Sequence, residues 1–516
     1  MAQRKKLFVI GGGGLGMQVA QDLEKHKVGK NLFDVFVFDK KKELYNNISG
    51  LQACVEPDLV GGMLVPQQNA LKNSKRVHAE VEAVYPVGYE NRQKPSIKLK
   101  AKVAPVECDY LVIATGTSYT FPGKVPWWIG SSACTRLYEK IRDNIAKSGT
   151  IAIVGGGPVG CELTGAIKSA FPEKKVTLIH KGPSLCSSVR GADITATHGS
   201  QMTKMSGAEG GGRYCKPKTL SRIKQQLEKI GCEIFLNEQV VLDASSNTID
   251  ANTVVASVIA KSVTKAKALA ASDSANAKGS DGSELLDAPP TDINVTEFVH
   301  TRGAPTVKPE EFMVENDGEG NTKKRTITTV AGRTFETDLV FFCTGPIANS
   351  SVYQDHYKLD YRGRLCVDDE MRAIPKDGGT SNFIYAVGDC AGTRFDDEQN
   401  YTAGHEHVSA CLNNLIAMAT GSEKKMKPYK PAPHPALVLY MGRKAGIAEV
   451  NGMRFGKWLT HSLKSPEAIA TMVWKGSNAG KPPKSEWSQK KKSGCCGKKD
   501  AKINYQPGTV SGDDDW

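Results

Sequence analysis

A glycine-rich turn between an apolar strand and a helix occurs twice in this chain, and no other feature restricts the fold as strongly. Gly11-x-Gly13-x-x-Gly16 and Gly155-x-Gly157-x-x-Gly160 each follow a short apolar run. A helical stretch and a second apolar run follow each turn, a pattern typical of βαβ units, which build parallel sheets. The sequence therefore predicts an α/β fold with two Rossmann-like dinucleotide-binding domains. The predicted strands of the two units are residues 7–10, 34–39, 150–154 and 175–179.

The first loop has the residue types that a dinucleotide pyrophosphate requires. Gly11 permits the tight turn, Gly13 lets the backbone approach a phosphate, and Gly16 lets the helix pack on the strand. Unpaired amides at the helix N-terminus then face the negative charge. Asp39 ends the next strand, where a carboxylate accepts hydrogen bonds from an adenosine ribose. We expect a nucleotide site here rather than a plain tight turn.

The second loop repeats Gly155, Gly157 and Gly160 but lacks the acidic partner. Its second strand ends in His180 and Lys181. Without a carboxylate to hold the ribose diol, and with a lysine able to accommodate a ribose phosphate, the site is expected to accept NADPH as well as NADH. The alternative is that His180 is only a surface loop residue.

Three further apolar runs of five or six residues are expected to be buried strands of the same sheets, each ending in a polar or glycine-containing loop. They are residues 109–114 before Thr115 and Gly116, 338–343 before Thr344 and Gly345, and 382–387 before Gly388 and Asp389.

Two carboxylates near these loops each have two possible roles. Asp389 could cap the following helix, or accept a hydrogen bond from the ribityl chain of a flavin, and the repeat pattern favours the flavin. Glu162, in the first turn of the second helix, could interact with the helix N-terminus or contact a nicotinamide lying against the flavin. The sequence leaves both roles of Glu162 open.

A thiol relay is not expected. Pyridine-nucleotide disulphide reductases carry two cysteines separated by four residues on the helix after the second strand. This chain has Cys54 there, but the second position is Leu59. The 13 cysteines have no zinc-site spacing, so no metal site is predicted. Their odd number and scattered positions indicate a reducing compartment.

The chain resembles the apoptosis-inducing-factor-like flavoproteins over roughly residues 7–185, 219–242 and 328–475. Besides the glycine loops, the resemblance rests on motifs shared with that family, the most discriminating being the last. They are ATG with FPGK at 114–124, PEKKVTLIH at 172–180, CTG at 343–345, YAVGD at 385–389, and YKP at 429–431 leading to MGR at 441–443.

The resemblance implies FAD on the first loop, NADH or NADPH on the second, and transfer of electrons to a membrane quinone with an antioxidant role. It places Glu162 near the reacting nicotinamide and Lys430 near the flavin and the quinone entrance. The residues implied to hold FAD are Gly11, Gly13, Gly16, Asp39, Thr115, Gly116 and Asp389; those for the nicotinamide nucleotide are Gly155, Gly157, Gly160 and Glu162. Val81, His180 and Gly345 complete the candidate cofactor-binding set.

Other functions remain open. A monodehydroascorbate or ferredoxin reductase belongs to the same enzyme class. A redox-sensing protein that binds nucleic acid through its net charge of +13 is a third possibility. Because a net charge of +6 lies between Lys475 and Asp500, in a lysine-rich segment with few interleaved aromatic residues, no specific nucleic-acid site is expected. A monomer or homodimer is expected.

The predicted domain organisation has two nucleotide-binding domains, a small C-terminal segment and a basic tail. The FAD domain is discontinuous, and the NAD(P)H domain carries two insertions, near 186–218 and 243–328. The expected ranges are 1–120 with 345–426, 121–344, 427–475 and 476–516.

The tail offers a possible membrane anchor. The chain begins Met1-Ala2, so N-myristoylation is not expected. Cys495 and Cys496 stand among five lysines, and two acyl chains beside a polybasic patch would give stable attachment. A solvated tail is the alternative. No apolar run reaches the roughly 18 residues of a membrane-spanning helix, so the protein is expected in the cytoplasm, or peripherally on membranes or lipid droplets.

Overall fold

The computed structural model describes residues 3–100, 102–126, 129–186, 215–240, 324–395, 401–432 and 436–485. The two predicted insertions lie almost wholly outside these residues, although a helix already begins at Pro217 and a strand at Arg325, inside their predicted ends. Cys495 and Cys496 also lie outside the described residues. Among the helices that the structure describes, none is both long and apolar enough to cross a membrane.

The described strands, in chain order, are β1 (Lys5–Ile10), β2 (Phe33–Asp39), β3 (Leu44–Tyr45), β4 (Leu64–Val65), β5 (Lys75–His78), β6 (Val81–Tyr85), β7 (Ser96–Leu99), β8 (Val106–Glu107), β9 (Tyr110–Ile113), β10 (Thr117–Ser118), β11 (Thr150–Val154), β12 (Lys175–His180), β13 (Cys232–Leu236), β14 (Arg325–Thr328), β15 (Thr334–Thr337), β16 (Leu339–Phe342), β17 (Ile347–Ala348), β18 (Leu365–Cys366), β19 (Ile384–Ala386), β20 (Ala391–Gly392), β21 (Leu437–Met441), β22 (Ala445–Val450) and β23 (Met453–Phe455).

The described α-helices are α1 (Gly14–Lys25), α2 (Gly29–Leu32), α3 (Gly50–Ala53), α4 (Val60–Met63), α5 (Ser131–Lys147), α6 (Pro158–Ala170), α7 (Pro217–Lys229), α8 (Tyr401–Ala419), α9 (Lys457–Lys464) and α10 (Pro466–Gly476). Short 3-10 helices occur at Asn47–Ser49, Pro57–Leu59, Tyr89–Asn91, Gly388–Cys390 and Glu423–Lys425.

The first sheet is five-stranded and parallel, in the order β19-β9-β1-β2-β5. Its central strand β1 is buried along Leu7, Phe8, Val9 and Ile10, as expected for a strand covered on both faces. Strand β19 comes from the far end of the chain, so this sheet contains residues from before and after the second one. The predicted α/β fold is confirmed.

The second sheet is also parallel, in the order β13-β12-β11-β16. Its central strand β11 lies between β12 and β16, as β1 lies between β2 and β9. The glycine loop after each central strand therefore occupies the same place in its own sheet, at the carboxyl ends of the strands. That edge is where parallel α/β sheets bind ligands.

The chain passes between the two sheets twice, and the two crossings are paired. Strand β10 follows the first sheet and β17 follows the second, and they are antiparallel neighbours with Thr117 opposite Ala348. Each crossing is thereby tethered to the other.

The C-terminal residues form a three-stranded antiparallel sheet, β21-β22-β23, followed by α9 and α10. This C-terminal module, residues 436–485, packs on α6. A β-carbon added at Gly165 of α6 would lie 2.4 Å from the carbonyl oxygen of Met441. A β-carbon added at Gly442 would lie 2.3 Å from the carbonyl oxygen of Gly165. The alternate residues Leu437, Leu439 and Met441 belong to the same buried cluster as the second sheet. The module thus completes the core of the second sheet.

Candidate functional site

The first glycine loop turns sharply between β1 and α1. The Gly11 amide donates to the Phe38 carbonyl at 2.8 Å, and Gly11 has a φ of +103° that favours glycine. A β-carbon at Gly16 would lie 1.8 Å from the Gly11 carbonyl oxygen, so the helix can pack here only with glycine. At Gly13 an added β-carbon meets nothing within 4 Å, which leaves the face above the helix N-terminus open.

The second loop reproduces this geometry. The Gly155 amide donates to the Ile179 carbonyl at 2.8 Å, and Gly155 has a φ of +111°. A β-carbon at Gly160 would lie 1.9 Å from the Gly155 carbonyl oxygen, while one at Gly157 again meets nothing within 4 Å. Both loops thus leave an open face at a helix N-terminus, suited to a phosphate.

The side chain that accepts a hydrogen bond from each loop differs between the two sites, and this is the clearest distinction between them. Asp39 Oδ2 accepts from the Gly12 amide at 2.6 Å, and Asp39 Oδ1 accepts from the Lys41 amide at 2.8 Å. In the second loop His180 Nδ1 accepts from the Gly156 amide at 3.1 Å. His180 therefore occupies the position of Asp39.

His180 is buried at the end of β12, so the alternative that it is a surface loop residue is wrong. A nitrogen that accepts a hydrogen bond carries no proton, and burial lowers the pKa of His180, with the charge of Lys181 acting in the same direction. The second loop consequently rests on a neutral acceptor and the first on a carboxylate.

The loop after β9 is held by the chain that returns from the second sheet. Asn349 binds it through both side chain and backbone: its Nδ2 donates to the Thr115 carbonyl at 2.8 Å and its amide to the Gly116 carbonyl at 3.0 Å. Thr115 Oγ1 donates back to the Asn349 carbonyl at 3.0 Å. Gly116 and Gly345 both have positive φ values, 62° and 107°. Asn349 was not predicted from the sequence, because no local pattern links residues so far apart in the chain.

Asp389 lies in the 3-10 helix Gly388–Cys390 beside this loop. Its Oδ2 accepts from Thr117 Oγ1 at 3.0 Å and lies 3.8 Å from Lys124 Nζ. Lys124 Nζ also donates to the Thr117 carbonyl at 2.8 Å; partial burial lowers the pKa of Lys124, and the charge of Asp389 opposes this. The next described α-helix begins only at Tyr401, so Asp389 does not act as a helix cap. The FPGK motif contained Lys124, but it did not indicate this ion pair.

Glu162 has a contact that neither of its two predicted roles included. Its Oε1 accepts from the Tyr440 amide at 2.8 Å and from Lys464 Nζ at 2.7 Å. Lys464 also donates to the Val438 carbonyl at 2.8 Å. Glu162 is the fifth residue of α6, so it does not lie in the first turn of that helix as predicted, and its carboxylate holds both strand β21 and helix α9 of the C-terminal module.

Arg443 lies in the turn between β21 and β22 and joins two carboxylates. It donates to Glu56 from Nε at 3.0 Å and from Nη2 at 2.5 Å, and to Glu467 from Nη1 at 3.1 Å and from Nη2 at 2.7 Å. Glu56 follows α3 closely, next to the buried Cys54, whose pKa burial raises. The discriminating MGR motif therefore fixes the C-terminal module to the segment that carries a cysteine pair in disulphide reductases.

The two residues predicted to be catalytic are not brought together. Lys430 is exposed and lines a cleft of about 430 Å³ against α8, together with His405, Glu406 and Lys427. No residue of either glycine loop lines this cleft. Val81, another candidate cofactor residue, is buried at the start of β6 opposite Leu99.

Comparisons with known proteins agree with this architecture. Residues 5–258 and 303–412 match the family described as pyridine nucleotide-disulphide oxidoreductase. The chain is 24% identical over 491 residues to apoptosis-inducing factor homolog B of Dictyostelium discoideum, covering 93% of this chain and 99% of that protein. It is also 24% identical over 478 residues to ferroptosis suppressor protein 1 of Homo sapiens, covering 92% and 96%. A chain in the cryo-EM structure of the Tetrahymena thermophila mitochondrial ATP synthase is 13% identical with a TM-score of 0.53, covering 93% and 98%, and shares the fold.

Proposed function

The chain belongs to the pyridine nucleotide-disulphide oxidoreductase family, and we propose that it catalyses the reduction of a membrane quinone by NADH or NADPH. It is an FAD-dependent NAD(P)H oxidoreductase, with FAD and the nicotinamide nucleotide as its cofactors. The predicted resemblance to apoptosis-inducing-factor-like flavoproteins is confirmed by the relatives named above. What we propose beyond the family is the electron acceptor, a membrane quinone.

The residues of both loops fit the two cofactors. The space above Gly13 and Gly157 admits a pyrophosphate, and Asp39 retains acceptor capacity for a ribose because each carboxylate oxygen has two lone pairs. We assign FAD to the first loop, with Thr115, Gly116 and Asp389 alongside, and the nicotinamide nucleotide to the second. When bound, the flavin accepts a hydride from the nicotinamide and passes the electrons on. The protein supplies the orientation of the two rings. Below the second loop it also supplies His180, a neutral hydrogen-bond acceptor for the loop backbone.

One observation supports direct transfer to a small acceptor. At the place of the disulphide relay, Cys54 has only Leu59 as its counterpart, and its thiol is buried with a raised pKa. A single buried thiol with a raised pKa, without a second cysteine at position 59, is poorly suited to relay electrons. A bound flavin would then pass its electrons to an external acceptor, and the sequence resemblance implies that this acceptor is a quinone.

Lys430 is the residue that we assign to the acceptor. Reduction of a quinone to a hydroquinone consumes two protons, and an exposed ammonium group can donate one and take another from water. Lys430 follows the buried Tyr429, whose ring packs edge-on against His407 at 4.9 Å between centroids. The backbone that carries Lys430 is therefore fixed although its ammonium group is exposed.

The test is an acceptor panel on purified, flavin-loaded protein. NADH and NADPH oxidation are followed with a short-chain ubiquinone, a ferredoxin and monodehydroascorbate. We expect the quinone to give the highest kcat/KM. Lys430→Ala should lower the quinone kcat by about 100-fold, the lower end of what a positioned proton donor contributes. Its KM for NADPH should not change.

Lys427→Ala is the matched control, since Lys427 lines the same cleft and is also exposed. It should keep quinone reduction. Faster turnover with ferredoxin or monodehydroascorbate than with the quinone would refute the proposed acceptor, and a purified protein without flavin absorbance would refute the cofactor assignment as well.

A further inference from the structure

Helix α9 presents apolar side chains to solvent. Trp458 is 82% exposed and Leu463 is 48% exposed, whereas Thr460 is fully buried and Lys464 points inward to Glu162. At about 100° per residue, Trp458 lies roughly opposite Thr460, and Leu459 and Leu463 lie at the edge of the same exposed side, which also carries Ser462. Large apolar side chains therefore occupy part of the solvent-facing side, where a surface helix usually carries polar ones.

A second exposed apolar residue lies on a neighbouring element. Strand β23, which contacts α9, begins with Met453, and that side chain is 59% exposed. It follows the tight turn at Asn451 and Gly452, both with positive φ, so the tip of the hairpin projects from the sheet. The apolar surface formed by Met453, Trp458, Leu459 and Leu463 is called the α9 face below.

The charges of the C-terminal module are one-sided. Residues 436–485 contain eight lysines and arginines against two glutamates. Both glutamates are turned inward: Glu449 is 1% exposed, and Glu467 accepts from Arg443. The module's exposed charged side chains are all basic, namely Lys444, Arg454, Lys457, Lys475, Lys481 and Lys484.

We propose that the α9 face docks on an anionic lipid membrane, with Trp458 and Leu463 inserted among the acyl chains and the surrounding lysines facing the lipid headgroups. Tryptophan is favoured at the boundary between headgroups and acyl chains, because its ring is apolar and its N–H is polar. Interfacial binding strengthens with buried apolar area and with basic charge opposite anionic lipid.

The structure favours a membrane over a second copy of the chain. Docking two copies through this surface would bring two sets of exposed lysines and arginines together without carboxylates to compensate them, since both glutamates of the module are already engaged. An anionic lipid surface supplies the missing negative charge.

The experiment is flotation of the full chain with vesicles of equimolar phosphatidylcholine and phosphatidylserine. Trp458→Ser combined with Leu463→Ser should weaken partitioning on the order of 100-fold, because two apolar side chains no longer leave water. Lys457→Glu should weaken it roughly tenfold, more at low salt than at high salt. Vesicles of phosphatidylcholine alone should bind the wild type weakly.

Two matched controls keep the result specific. Tyr361→Ser removes a 59% exposed aromatic residue elsewhere, and Lys25→Glu reverses a lysine whose side chain is 77% exposed on α1; neither should change partitioning. Quenching of tryptophan fluorescence by lipids brominated on their acyl chains should largely disappear in Trp458→Phe, which retains binding. Reduction of a soluble acceptor by NADPH should be normal in every variant, which separates this proposal from the proposed quinone reaction.

Three results would overturn the membrane assignment. Equal partitioning of the wild type and the Trp458→Ser/Leu463→Ser variant would leave the tail as the membrane contact. Undiminished quenching in Trp458→Phe would exclude insertion of this residue. A wild-type dimer that becomes a monomer in the double variant, as measured by light scattering without lipid, would make the second copy the partner.

Discussion

Replacing Glu162 by glutamine tests whether this carboxylate acts on the nicotinamide or holds the C-terminal module. The amide oxygen of glutamine can still accept from the Tyr440 amide, which lies 2.8 Å from Oε1 in the structure. It cannot form the ion pair with Lys464, whose Nζ lies 2.7 Å from the same oxygen. The variant therefore removes the negative charge of the pair, while its amide oxygen can still accept hydrogen bonds from both donors.

The magnitude follows from the burial of the pair. Glu162 is 7% exposed, and the Lys464 side chain is 22% exposed. A hydrogen bond between charged groups contributes about 2 kcal/mol and one to a neutral oxygen about 1 kcal/mol, so we expect Glu162→Gln to cost about 1 kcal/mol, with Lys464 keeping its bond to the Val438 carbonyl. Glu162→Ala removes the whole bond to Lys464 and leaves the buried Tyr440 amide without its acceptor, so we expect a loss of about 4 kcal/mol.

Amide hydrogen exchange measures this loss where it occurs. Exchange in strand β21 should be about fivefold faster in Glu162→Gln and about 1000-fold faster in Glu162→Ala, since 1.4 kcal/mol corresponds to about a factor of ten. A double-mutant cycle of Glu162→Ala with Lys464→Met should give a coupling of about 2 kcal/mol. If exchange in β21 stays at the wild-type rate in Glu162→Gln while NADPH oxidation fails, the carboxylate acts on the nicotinamide and the anchoring role is refuted.

Two further predictions concern the second loop and the docking of the module. The pKa of His180 is lowered in the folded protein, so the unfolded chain binds the proton first; stability from this residue is complete above the ordinary pKa of about 6.5 and is lost as the pH falls below it. Thermal unfolding should show a smaller loss between neutral and mildly acidic pH in His180→Asn, which accepts from Gly156 without titrating, and an equal loss would contradict the neutral acceptor. Gly165→Ala should lower the free energy of unfolding by about 3 kcal/mol, because its methyl group would lie 2.4 Å from the Met441 carbonyl oxygen, whereas Gly130→Ala meets nothing within 4 Å and serves as the control. Equal melting temperatures for these two glycine variants would refute the close docking.

The two glycine loops could be predicted from sequence because every requirement there is local. Gly11 and Gly16 are needed by the turn and by the helix start, within six residues of one another. The missing carboxylate at His180 was also visible in the sequence. The sequence did not show that His180 takes over the role of the carboxylate. Whether a histidine at a strand end faces the loop or the solvent depends on the neighbouring strand and on burial.

The contacts of Glu162, Asn349 and Arg443 could not be predicted in this way. Each of the three has at least one partner more than 200 positions away, such as Thr115 for Asn349 and Glu56 for Arg443. No periodicity or spacing encodes such a pair. The resemblance singled out the motif around Arg443 as discriminating, but only the structure shows that its guanidinium joins two carboxylates.

The docking of the C-terminal module on α6 also has a consequence for biosynthesis. Leu437, Leu439 and Met441 fill the core of the second sheet, yet the ribosome makes them after every strand of that sheet. During translation, α6 and β11 are therefore complete but not fully covered until residues 437–447 have emerged from the exit tunnel. A chain that stops before residue 437 would leave this apolar surface exposed, and exposed apolar surface makes an incompletely folded chain prone to aggregate.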